Sequence, residues 1–160
     1  VLFLLIQDNK KKIINTLTSR CIKFNLFLNN ETKNEIIEKL LNNNFYANLN
    51  NDFKNIYTSQ GDIVSLHNFF KNNDIEETIT IDDFIKLLIN KSLFKKNSYI
   101  IDNISYFLEL YFLKKIYSLK HKSNIHDLYN YFLSKISNCH KYNLDLESVL
   151  IEFDGKVLNG

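Results

Sequence analysis

Apolar residues occupy the first six positions of the chain without interruption, Val-Leu-Phe-Leu-Leu-Ile, and polar residues follow at Gln7, Asp8 and Asn9. A short apolar run stopped by polar residues predicts a buried strand over Val1 to Ile6. Asp8 to Lys12 then reads as a polar loop or helix start, and Ile13 to Leu17 as a short amphipathic turn. Ile22, Phe24 and Leu26 alternate with Lys23 and Asn25, which predicts a second short extended piece.

From there the spacing of apolar positions changes to that of helices. Asn30 is placed to cap a helix over Glu31 to Asn43 with Ile36, Ile37, Leu40 and Leu41 on one face, and Glu31 and Glu35 lie toward its N-terminus, where the helix dipole favours anions. Phe53, Ile56 and Tyr57 predict a short helix ending near Gly61. Asp62 is read as the cap of the next, with Ile63, Leu66, Phe69 and Phe70 inward. The polar, acidic stretch Asn72 to Glu77 is the best linker. Beyond it Thr80 caps a helix with Asp83 three residues on, a relative of the capping box, and Phe84, Ile85, Leu87 and Leu88 form the apolar face. A long helix over Tyr99 to Leu119 follows. The next runs from Asn124 to Ser137 with Ile125, Leu128, Tyr129, Phe132, Leu133 and Ile136 on its face. A last one over Leu144 to Phe153 is expected to stop at Asp154-Gly155. The expected fold is mainly α: a strand-bearing stub over 1–26, a three-helix unit over 27–72, a linker over 73–79 and a helical unit over 80–160.

Composition refines this outline. The 160 residues are 45% hydrophobic, enough for a real core, and the formal net charge is +2, too small a field to demand nucleic acid. Met is absent and the chain opens within an apolar run, so the expectation is a fragment that continues upstream. Two cysteines, Cys21 and Cys139, read as reduced thiols of a cytoplasmic protein rather than a disulfide scaffold. The opening run is too short to span a bilayer and lacks a basic flank. The Tyr99 to Leu119 stretch carries Asp102, Asn103, Glu109, Lys114 and Lys115, which makes it a buried helix rather than a membrane span. Its aromatics Tyr106, Phe107, Tyr111 and Phe112 suit either an assembly surface or the unit's own core.

The candidate chemistry centres on one residue. Lysine supplies every basic side chain but one, and the exception is Arg20, in Thr-Leu-Thr-Ser-Arg-Cys. Over-use of Asn, Ile, Lys, Phe and Tyr, with no Pro, has the look of AT-rich codon bias, which makes the lone arginine more informative. A guanidinium keeps its charge at any physiological pH and offers a planar fork that matches phosphate oxygens bidentately. Other candidates are weaker. His121 and His126 are five apart and Cys139 and His140 are neighbours, neither a metal-ligand spacing, so no metal is expected. Ser19 lacks the Gly-x-Ser-x-Gly elbow of hydrolases. Lys10, Lys11 and Lys12 read as a solvated loop.

The stretch from Phe3 to Phe24, "FLLIQDNKKKIINTLTSRCIKF", resembles the AAA+ clamp-loader family from its sensor 1 strand to its Ser-Arg-Cys motif, with Thr16, Ser19, Arg20 and Cys21 at the matching positions. "SQGDIVSL", Ser59 to Leu66, is similar to the family's third lid helix, and "YNLDLESVLIEF", Tyr142 to Phe153, to its final collar helix. The resemblance implies the end of an AAA+ α/β domain with one or two strands over 1–26, a three-helix lid over 27–72 and a helical collar over 80–160. It implies that Arg20 acts as a finger in trans, with Ser19 and Cys21 as motif support. The sensor 1 position falls on Gln7 or Asp8, where active members often carry Thr. The sensor 2 position, an arginine in ATP-binding members, is Val64, and the usual Pro before the finger helix is Ile14.

This combination of a retained finger and a degraded nucleotide site resembles the non-hydrolysing delta-prime branch of the DNA polymerase III clamp loader. That branch implies no nucleotide bound by this chain, the ATP and Mg of an adjacent subunit as the target of Arg20, and a heteropentamer with gamma/tau motor subunits and delta. A sliding clamp and primed DNA are its further partners. Two other readings stand beside it: a hydrolysing gamma/tau-like subunit, which an upstream phosphate-binding loop would reveal, and a helical interaction module with no nucleotide role.

Overall fold

The computed structural model describes residues 3–6, 13–26, 28–41, 44–54, 59–118 and 123–158. The chain is mainly helical. Its elements are α1 (Asn15–Thr18), α2 (Asn30–Leu41), α3 (Phe45–Asn48), α4 (Gln60–Asn72), α5 (Ile81–Asn90), α6 (Ser98–Ser118), α7 (Ser123–Tyr142) and α8 (Leu146–Phe153). Single 3₁₀ turns at Asn51–Phe53 and Leu93–Lys96 precede α4 and α6, and a π-helical turn, Asp154–Leu158, prolongs α8. No strand occurs among the described residues. No described helix is long and apolar enough to cross a membrane.

Local chemistry sets most helix starts. Asn29 Oδ1 accepts from the Thr32 amide at 2.7 Å, so the cap of α2 is Asn29, one residue before the expected Asn30. The start of α4 differs more. Ser59 Oγ accepts from the Asp62 amide at 3.1 Å while Asp62 Oδ2 accepts from the Ser59 amide at 3.3 Å, a reciprocal capping box. Asp62 is thus the third residue of the helix rather than its cap, and Gly61 lies inside α4 rather than ending the helix before it. The helix expected from Phe53, Ile56 and Tyr57 is, in its described part, a 3₁₀ turn ending at Phe53; Ile56 and Tyr57 lie outside the described residues. Thr80 caps α5 as expected, accepting from the Asp83 amide at 3.2 Å. Asp145 caps α8 through the amides of Glu147 and Ser148.

Helix ends use the left-handed conformation without glycine. Asp74, Ser92 and Asn143 have φ near +50°. Behind Asp74, the Ile75 amide reaches back to the Phe70 carbonyl at 3.0 Å, and Ile75 is buried against the helix it closes. The Leu144 amide reaches the Cys139 carbonyl in the same way. As expected, the α-helical part of α8 ends at Phe153, with Asp154 as its C-cap. The backbone continues into the π turn, which packs on α5.

One apolar core runs from Ile37 on α2 to Phe153 on α8. It continues through the acidic 73–79 stretch, where Ile75 is buried and Ile79 half-buried. Phe84 sits at its centre with ring centroids 5.4 Å from Phe53, 5.2 Å from Phe107 and 6.1 Å from Phe69. Each is an edge-to-face contact, worth about 0.5–1.5 kcal/mol beyond area burial. At the other end Phe132 lies 5.0 Å and Tyr111 5.4 Å from Phe153. Helix α6 is apolar on several faces because α5, α7 and the 3₁₀ turn at Asn51–Phe53 pack around it. Its Phe107, Tyr111 and Phe112 are buried within the chain's own core, and Tyr106 packs against it. Leu40, expected inward, is 58% exposed, because α2 turns Ile37 and Leu41 to the core instead.

The N-terminal segment stands outside this core. Phe3, Leu4, Ile6, Ile22, Phe24 and Leu26 are each more than 80% exposed. In its described part, neither expected extended piece is a strand. A strand exists only through pairing, and no described neighbour supplies hydrogen bonds to residues 3–6 or 22–26.

Candidate functional site

The Arg20 turn is built by local hydrogen bonds. Ile14 is extended, and its carbonyl accepts from the Leu17 amide at 3.0 Å and from the amide and hydroxyl of Thr18, each at 3.2 Å. The Ser19 hydroxyl donates to the Thr16 carbonyl at 3.3 Å. The Arg20 amide donates to the Leu17 carbonyl at 3.0 Å and the Cys21 amide to the Thr18 carbonyl at 3.4 Å. Thr16 and Ser19 therefore shape the turn, and the backbone of Arg20 is tied within it. The side chain is not tied: Arg20 is exposed and its guanidinium forms no ion pair with a described residue. Cys21 next to it is an exposed free thiol.

The other expected site residues are scattered. Gln7 and Asp8 lie outside the described residues, as do Lys10, Lys11 and Lys12. Val64 is half-buried in the second turn of α4, two residues after Asp62, and its isopropyl group offers no charge to a phosphate. No hydrogen bond or ion pair among the described residues joins the Arg20 turn to α4. Of the metal candidates considered, Cys139 is buried with its thiol 3.7 Å from the Asp145 carbonyl, His126 and His140 are exposed, and His121 lies outside the described residues.

Two charged clusters were not foreseen. In the first, Lys114 of α6 lies 2.8 Å from Asp52 and 2.7 Å from Asp82, and Lys115 lies 2.7 Å from Asp82. Burial by itself would raise the Asp82 carboxyl, but the two ammonium groups outweigh it and hold the group below its ordinary value. Burial lowers Lys114, yet its bonds to Asp52 and Asp82 carry it above its ordinary value; the bond to Asp82 does the same for Lys115. In the second cluster Glu152 of α8 accepts from Lys135, from Lys156 at 2.7 Å and from the Tyr131 hydroxyl at 2.6 Å. The Lys135 ammonium first, then Lys156 and Tyr131, pull its carboxyl down to about 2. The Lys156–Glu152 half of that cluster was legible as an i, i+4 pair. The rest joins positions that no local spacing relates. A cleft of about 410 Å³ between Asp74 and Leu87 is lined by none of the expected site residues.

Comparison with protein-family models, with curated proteins and with solved structures gave no match.

Proposed function

We propose that this chain is a delta-prime-type, non-hydrolysing subunit of a cytoplasmic bacterial clamp loader, and that Arg20 stabilises charge on the phosphoryl group transferred in the ATP site of an adjacent gamma/tau-type subunit. The observation that carries the reading is the state of Arg20. Its backbone is tied into the Thr16–Cys21 turn, while its guanidinium is exposed and unpaired among the described residues. An arginine that must enter a foreign site needs that combination: a located base and an unspent charge. Val64 supports the non-hydrolysing form, because an aliphatic side chain stands where an ATP-binding member needs a cation. In this reading 1–26 ends an AAA+ α/β domain, 27–72 is the lid and 80–160 the collar that meets the other subunits, delta among them. The ATP and its Mg belong to the neighbour, and the sliding clamp and primed DNA are engaged by the assembled ring.

The test is reconstitution with motor subunits, delta, clamp and primed DNA from the same genome. Arg20→Lys keeps the charge and removes the fork. The expected result is intact assembly with turnover at the adjacent site lowered about 10³-fold or more. Assembly with unchanged DNA-stimulated turnover removes the finger role and leaves a helical interaction module.

A further inference from the structure

We infer that α2–α4 and α5–α8 form a single cooperative unit, clamped together at Asp52, and that the acidic stretch 73–79 between them is not a hinge. The clamp is made by the 3₁₀ turn at Asn51–Phe53. One oxygen of Asp52, Oδ2, accepts from Lys114 Nζ of α6 at 2.8 Å and from the Ile81 amide at the start of α5 at 3.0 Å. Two residues earlier, the Asn50 amide donates to the Glu77 carbonyl and its side-chain amide to the Thr78 carbonyl, each at 3.0 Å. The turn thus grips the connecting stretch itself as well as the helices beyond it.

Two further contacts close the same joint. Phe53 lies edge-on to both Phe70 of α4 and Phe84 of α5, at 5.9 and 5.4 Å between centroids. The hydroxyl of Tyr99 on α6 donates to the Asp62 carbonyl of α4 at 3.0 Å, and burial pushes that phenol well up from its ordinary value. A hinge at 73–79 would therefore have to break the Lys114–Asp52 pair, open the Tyr99 bond and bring fully buried phenylalanines into water. Polar composition made the stretch look like a linker. Ile75, buried at 8% exposure, and the Asn50 bonds show it held along its length. Movement applied to α2–α4 is consequently passed to α5–α8 rather than absorbed between them. This holds whether or not Arg20 serves a nucleotide.

Native-state hydrogen exchange on the full chain tests it. In the unaltered protein, the amides of Leu66, Phe69 and Phe70 in α4 and of Ile104, Phe107 and Leu108 in α6 should share one denaturant dependence, with protection factors agreeing within about tenfold. Asp52→Asn, which keeps the shape and removes the charge, should lower both sets by a common factor of about ten to a hundred. A bond serving one unit only would lower one set alone, and that outcome overturns the inference. So does exchange of the two sets in the unaltered chain through separate openings with different denaturant slopes, a result that needs no variant to fold.

Discussion

Asp52 and Lys114 are 62 positions apart in the chain and meet at 2.8 Å. The same lysine also holds Asp82, which in turn holds Lys115. A short turn, the first turn of α5 and the last turns of α6 are joined by this alternation of sign. Its members are partly exposed, so each pair is modest on its own, and the value lies in the network.

The network gives the chain's stability a defined pH dependence. Asp82 titrates below its ordinary value in the folded state, so its contribution is present above about pH 4 and lost as pH falls through the depressed value. Lys114 and Lys115 titrate above theirs, so their contribution is present below about pH 10.4 and lost as pH rises through the raised values. Asp82→Asn should destabilise the chain by about 1 kcal/mol at pH 7, with the difference from the unaltered protein shrinking toward pH 2. Urea midpoints across that range measure it.

Glu152 offers a site-resolved check. Its carboxyl should titrate near pH 2 by carboxyl-carbon NMR, because the Lys135, Lys156 and Tyr131 donors favour its charged form. Its contribution to stability is present above about pH 4.3 and disappears as pH drops through that low value. Lys135→Met removes the leading cause and should return the midpoint toward the ordinary glutamate range. A midpoint that stays put would assign the shift to the other donors.

Phe84 is fully buried amid four phenylalanines. Phe84→Ala should cost about 3–5 kcal/mol, since rings held by several helices do not collapse into the space left. Leu40→Ala, at an exposed position of α2, should stay within about 0.5 kcal/mol. Chemical denaturation of the two variants separates a residue that fills the core from one that only shares its apolar spacing.

Asp74 closes α4 at φ +51°, where a Cβ is disfavoured. Asp74→Gly should stabilise the chain by about 0.5 kcal/mol, the strain relieved exceeding the added freedom of the unfolded chain. A thermal or urea midpoint that falls instead would show the aspartate making a compensating interaction in the folded state.

Helical periodicity was legible where it was strong. The inward face of α4 is legible residue by residue, and that of α5 at Phe84, Ile85 and Leu88, though Leu87 is only half-buried and Ile81 joins the core unannounced; Thr80 is legible because a cap acts over three residues of chain. The error at α4 has a local cause too. In the sequence Gly61 reads as a helix end, whereas Ser59 and Asp62 satisfy each other's amides around it and start a helix through it. At the candidate site, the sequence singled out Arg20 by its rarity and its Ser-Arg-Cys setting. Its exposure, its unpaired state among the described residues and the bond from Ser19 to Thr16 belong to the tertiary structure.

By itself, the sequence determined the helical class of the chain, most helix faces and the Thr80 cap, because those depend on interactions within four residues. Only the tertiary structure decided that Asp52 clasps Lys114, that Lys135 and Tyr131 converge on Glu152, and that the acidic stretch after α4 is held rather than loose. It also decided that Phe3–Ile6 and Ile22–Leu26 stand unpaired among the described residues. The physical reason is common to all of these. A long-range ion pair or a strand is completed by a partner elsewhere in space, and one segment's pattern of apolar and polar positions carries no record of where that partner lies.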